Sequence, residues 1–121
     1  MNNRDRLKLF WKIFNYINKR FCNHELTINK IVFFKRIKLK KCWKTNVIGY
    51  YDRNDKAIGI RQEGILICQI DNLCHELTHA YQDQILNDKR GRHDKRGHVI
   101  YDKFLKEFER ISTLNLNEGL I

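Results

Sequence analysis

The chain has 121 residues, 42% of them hydrophobic and 12% aromatic, which suits one modest folded core and excludes a disordered protein. Its net charge of +10 is one-sided: residues 1–44 hold 13 Lys/Arg against Asp5 and Glu25, a balance of +11, while residues 45–121 hold 11 basic and 12 acidic groups, a balance of −1. No run approaches the roughly 18 apolar residues of a membrane span, no secretory pattern opens the chain, and Cys22, Cys42, Cys68 and Cys74 form no C-x-x-C pair. A zinc ribbon, a thioredoxin-like motif and a membrane helix are therefore not expected, and a cytosolic chain with reduced thiols is.

Taken in chain order, Phe10, Ile13, Phe14, Ile17 and Phe21 recur at helical spacing, which predicts an amphipathic helix over about 4–21. Lys8, Lys12, Lys19 and Arg20 fall off that stripe. Leu26–Phe34 is β-branched and aromatic and reads as a strand, extended if the alternation of Ile37 and Leu39 with basic residues continues it. Val47–Tyr51 and Lys56–Ile60 are two further strands, and the turn-forming Asp52-Arg53-Asn54-Asp55 between them predicts a hairpin. A helix begins between Ile65 and Asp71 and runs to about Leu86. Residues 87–97 are polar and read as a surface loop. A last helix runs from Val99 to about Ser112, leaving 113–121 as a loosely packed tail. The expected class is α+β, within a single domain spanning 1–121: an N-terminal helix, a small three-stranded sheet, a helix carrying the motif below, and a C-terminal helix.

That motif is His75-Glu76-Leu77-Thr78-His79. Residues four apart on a helix share one face, so the two imidazoles can grip one ion. Glu76 beside them supplies a carboxylate able to take a proton from water activated by that ion. H-E-x-x-H arises by chance in about one chain in a hundred of this composition, and its place on an amphipathic helix makes two stray surface histidines the weaker reading. Catalytic zinc usually takes three protein ligands. His98, beside Gly97 at the head of the last helix, leads for the third place. His93 in the basic loop and Glu107 or Glu109 on the last helix are the alternatives. His24 also precedes a glutamate, but Ile28 stands where a second ligand would be needed.

Asp71, one turn before His75, could hold an imidazole N–H, but a helix N-terminal acid favoured by the dipole is the preferred reading. Asp102, one turn after His98, carries the same two readings. Cys68 and Cys74 read as buried small residues. The basic excess attracts polyanions, with nucleic acid the commonest partner, and Lys35, Arg36, Lys38, Lys40, Lys41 and Lys44 are its densest part. Trp43 could stack on an unpaired base, whereas core packing is the expected role of Trp11.

With these residues in view, the chain resembles the SprT-like metallopeptidase family, which includes Spartan. The likeness covers about residues 9–110. It begins with Leu9-Phe10, Phe14-Asn15 and Arg20-Phe21, continues through Gly49-Tyr50 and Ile58-Gly59-Ile60, and is closest over Leu73–Tyr81. Gly97-His98 followed by Phe104 resembles the family's third histidine and the helix after it, with the order of glycine and histidine reversed. The resemblance implies a zincin-like fold, a zinc cofactor held by His75, His79 and His98, Glu76 as the catalytic acid–base, and proteolysis of DNA-associated proteins. A basic DNA-binding module with a structural or vestigial zinc site is the competing expectation. A membrane-surface role for the first helix is a third, disfavoured by how fully aromatics fill its apolar face.

Overall fold

The computed structural model describes residues 1–35, 48–91 and 93–118, and of 111–118 the backbone alone. Helix α1 (Asn3–Phe21) is followed by strands β1 (Lys30–Phe34), β2 (Gly49–Asp52) and β3 (Ala57–Arg61), then by helices α2 (Leu66–Gln84) and α3 (Lys95–Glu118). The α+β class and the order of elements are as the sequence indicates. Ile37, Leu39, Cys42, Trp43 and Val47 lie outside the described residues.

The expected stripe of α1 is its buried face: Phe10, Ile13 and Ile17 are fully covered and Phe14 nearly so. Each such side chain contributes about 1.5–3 kcal/mol relative to exposure. Asn2 caps the helix by accepting the Asp5 N–H at 2.9 Å. At the other end, Asn18 is buried because it serves as a surrogate strand. Its amide donates to Leu26 O and its carbonyl accepts from Leu26 N, both at 2.9 Å, which fixes the turn leading into β1. His24 sits in that turn at φ 62° and is exposed.

The sheet order is β1-β3-β2. β2 and β3 form the expected antiparallel hairpin, with Asp52 Oδ1 accepting from the N–H groups of Asn54 and Asp55 to shape the turn. β1 pairs with β3 in parallel, Ile31 opposite Ile58. β3 is thus central, and Ala57, Ile58, Gly59 and Ile60 are all buried. Gly59 is required by its cross-strand partner: a Cβ there would lie 2.1 Å from the Tyr50 ring.

α2 enters with no side-chain cap, and the buried Gln69 does the joining instead. Its Nε2 donates to Arg61 O and Gln62 O at 3.1 Å, while its Oε1 accepts from Arg6 of α1 at 2.7 Å. Ile70, Leu73, Cys74, Leu77 and Ala80 bury the inner face of α2. α3 closes the core with Phe104, whose ring lies 5.9 Å from Phe21 and 6.0 Å from Tyr81. Trp11 is half-buried and meets Phe14 edge-on at 5.8 Å.

Three expectations are corrected. α3 begins at Lys95 rather than Val99, because Asp94 caps it by accepting the Gly97 N–H at 2.9 Å. It also continues to Glu118 where a loose tail is expected after Ser112. Cys68 is exposed, since it falls on the outer face in the first turn of α2, whereas Cys74 is buried as expected.

Candidate metal centre

His75 and His79 project from one face of α2, and the loop 85–94 brings His93 onto them. His79 Nε2 lies 3.1 Å from His75 Nε2 and 3.1 Å from His93 Nε2. The three ligand atoms all lie within 4.8 Å of one another. Two nitrogens each about 2.05 Å from a tetrahedral zinc ion stand roughly 3.3 Å apart, so this spacing fits such an ion. Among the described residues these three are the one His/Cys/Asp/Glu group arranged to hold a metal.

The protonation chemistry agrees. Burial, then the neighbouring His93, pushes the His75 pKa below its ordinary value, with Asp71 opposing. Burial, then His75 and His93, does the same at His79, against the hydrogen bond it makes to Gln82. Both imidazoles are therefore held neutral, the form that ligates. Gln82 Oε1 lies 3.2 Å from His79 Nδ1. With Nδ1–H donating to that oxygen, the Nε2 lone pair is left facing the group. Three ring nitrogens facing one another at this spacing are well suited to a cation.

Glu76 is buried, and its carboxylate lies against β2. A Cβ on Gly49 would lie 3.0 Å from Glu76 Oε2, so a larger residue there would press on the carboxylate. Burial alone pushes the Glu76 pKa up to about 7. A buried carboxylate raised this far calls for a proton or a cation, and an ion on the adjacent imidazoles would draw its pKa back down.

His98 is not in the group. It lies in the first turn of α3 with its side chain 74% exposed and Nε2 3.8 Å from Asp102 Oδ2. His93 takes the place expected of it, because a helix that starts at Lys95 turns residue 98 outward and leaves residue 93 in the loop just before the cap. Glu107 is buried but engaged by Arg110 and by Arg20 at 3.7 Å, and neither it nor Glu109 joins the group. Asp71 is corrected too. α2 starts at Leu66 and has no acid in its first turn, so the dipole reading of Asp71 fails. Its Oδ1 is buried without a hydrogen-bond partner among the described residues.

The loop carrying His93 is tied down by residues the motif does not reveal. Asp83, buried at the end of α2, accepts from Tyr51 Oη at 2.8 Å through Oδ2 and from Lys89 through Oδ1. Lys89 also donates to Asp83 O at 3.1 Å. Gln84 reaches both Tyr51 Oη at 3.0 Å and Thr27 O at 2.7 Å. Burial raises the Asp83 pKa, but the Lys89 and Tyr51 hydrogen bonds outweigh it and hold the carboxyl below its ordinary range. Gly91 at φ 63° then turns the chain toward His93. Of the candidate nucleic-acid contacts, Lys35 is exposed just past β1, and Arg36, Lys38, Lys40, Lys41 and Lys44 lie outside the described residues.

No helix among the described residues is long and apolar enough to cross a membrane. In comparisons with protein-family models, curated proteins and solved structures, nothing matches this chain.

Proposed function

We propose that the protein is a zinc-dependent endopeptidase of SprT-like type that acts on DNA-associated proteins. The observation that supports this most is the convergence of three imidazoles, with His79 Nε2 3.1 Å from both His75 Nε2 and His93 Nε2, beside the buried Glu76 on the helix that carries His75 and His79. Three imidazole ligands suit zinc and leave a fourth position for chemistry. A zinc ion held there supplies Lewis-acid polarisation of a carbonyl and acidifies water.

The chain's own residues do the rest. His79 is oriented by Gln82, and His93 by the pinned loop. Glu76 takes a proton from the attacking water and returns it to the leaving amine. A carboxylate next to the metal group can take that proton as base and give it back as acid within one turnover. Gly49 keeps β2 close enough to shield that carboxylate from bulk water. The +11 balance of residues 1–44 would gather DNA-bound substrates by phosphate attraction rather than by reading sequence.

The test is cleavage of a DNA-bound protein by zinc-loaded wild type, by Glu76→Gln and by chelated wild type. Proteolysis confined to the first sample is expected. Equal cleavage by Glu76→Gln refutes the mechanism. The same charge balance favours one second reading, a DNA-binding module in which the metal is structural or vestigial. Under it, DNA affinity is unchanged by Glu76→Gln and abolished by charge reversal at Lys38, Lys40 and Lys41.

A further inference from the structure

Two clefts flank the imidazole group, and His79 and His93 line both. One, of about 690 Å³, opens toward the β2–β3 turn and is walled by Tyr50, Asp52, Arg53, Asn54 and Lys89. The other, of about 750 Å³, opens toward the start of α3, where Thr78, Gly97, Val99 and Tyr101 join the histidines. Both volumes fall in the range of ligand sites. Their linings differ in kind, so the two sides of a chain crossing the metal group meet different chemistry.

We propose that the α2/α3 cleft is the specificity subsite of this enzyme, taking an apolar side chain of the peptide substrate next to the scissile bond. The inference rests on the peptidase reading above. Val99 projects from the start of the second turn of α3 with 54% of its surface exposed, although it lines a cleft that reaches the imidazoles. Tyr101 stands half-buried with its ring 6.3 Å from the His75 ring and 71° to it, giving the cleft an aromatic wall beside the reacting centre. The cleft's charged members, Asp94 and Lys95, are opposite in sign and exposed, and Asp94 Oδ1 is taken up in capping α3. They offer no net attraction for a charged side chain. An apolar side chain entering here would remove water from Val99 and from the faces of Tyr101 and His75.

The opposite cleft argues for the same polarity of binding. Asp52, Arg53, Asp83, Asp88 and Lys89 line it, and an apolar side chain there would strip water from charged groups without replacing their partners. A substrate therefore places its apolar residue toward α3 and a polar one toward the β2–β3 turn. Val99 sets the preference through its methyl groups, and it lies on the solvent side of α3, where substitution leaves the core intact.

The experiment is cleavage-site mapping by mass spectrometry, with zinc-loaded wild type, Val99→Lys and Tyr101→Ala acting on a mixture of unstructured peptides. Wild type is expected to enrich Leu, Ile, Val, Met or Phe at one fixed position adjoining the cleaved bond. Val99→Lys should keep its zinc and lose about 10- to 100-fold in kcat/KM on those peptides while gaining acidic residues at that position. Tyr101→Ala should widen the preference toward larger side chains. Wild-type sites with no apolar enrichment overturn the inference while leaving the peptidase reading standing. So does a preference unchanged in both variants. Absence of cleavage by zinc-loaded wild type overturns the peptidase reading and the subsite with it.

Discussion

Replacing Glu76 with Gln should stabilise the metal-free protein, and the gain should depend on pH. Burial raises the folded-state pKa of Glu76 from 4.5 to about 7, with no opposing charge contributing to the shift. A folded pKa above the unfolded one means that stability is intact below pH 4.5 and is lost as pH rises to about 7, then levels off. At 1.36 kcal/mol per unit the full loss is about 3 kcal/mol. Gln fills nearly the same volume and carries no charge to desolvate. With chelator present, urea unfolding at pH 8 should show Glu76→Gln more stable than wild type by about 3 kcal/mol, and at pH 4.5 the two should nearly coincide. Zinc should shrink the pH 8 difference, because a cation beside the carboxylate offsets its charge. A gain of equal size at both pH values, or wild type the more stable at pH 8, refutes the claim that this carboxylate is buried without compensation.

The remaining expectations concern ligation and packing. His93→Ala should lose bound zinc and His98→Ala should keep it, as read by metal analysis of the purified proteins side by side; the reverse pattern would restore residue 98 as the third ligand. Gln82→Met removes the acceptor facing His79 Nδ1 and should weaken zinc binding about 10- to 100-fold by competition with a chelating dye, with far-UV circular dichroism unchanged. Gly59→Ala drives a methyl group into the Tyr50 ring and should cost about 1–3 kcal/mol in thermal unfolding, most of it recovered when Tyr50 is also cut back to Ala.

What the sequence discloses follows from how local each signal is. The spacing of Phe10, Ile13 and Ile17 and the four-residue gap between His75 and His79 are written within single helices, and both are found as expected. The parallel pairing of β1 with β3 is not local: it joins Ile31 to Ile58 across the chain, and no turn chemistry announces it. The third imidazole depends on where a helix begins. Asp94 as a cap was the available clue, since an aspartate ahead of a helical run starts that run one residue later. Reading the start at Val99 instead rotates the argument onto His98. Gln82 was also within reach, three residues after His79 on the same helix face, whereas Asp83, Lys89 and Tyr51 meet only through the fold. Cys68 and Cys74 differ by a helix phase that depends on where α2 starts.

Two of the three imidazoles ride on one helix and the third on a connecting loop. An ion held by all three would clasp the α2–α3 junction and stabilise the folded chain by about 2.7 kcal/mol at a hundredfold excess over Kd. Lys89, Arg90, Lys95 and Arg96 make the junction rich in trypsin sites. Resistance to nicking there would thus report directly whether an ion occupies the three-histidine group.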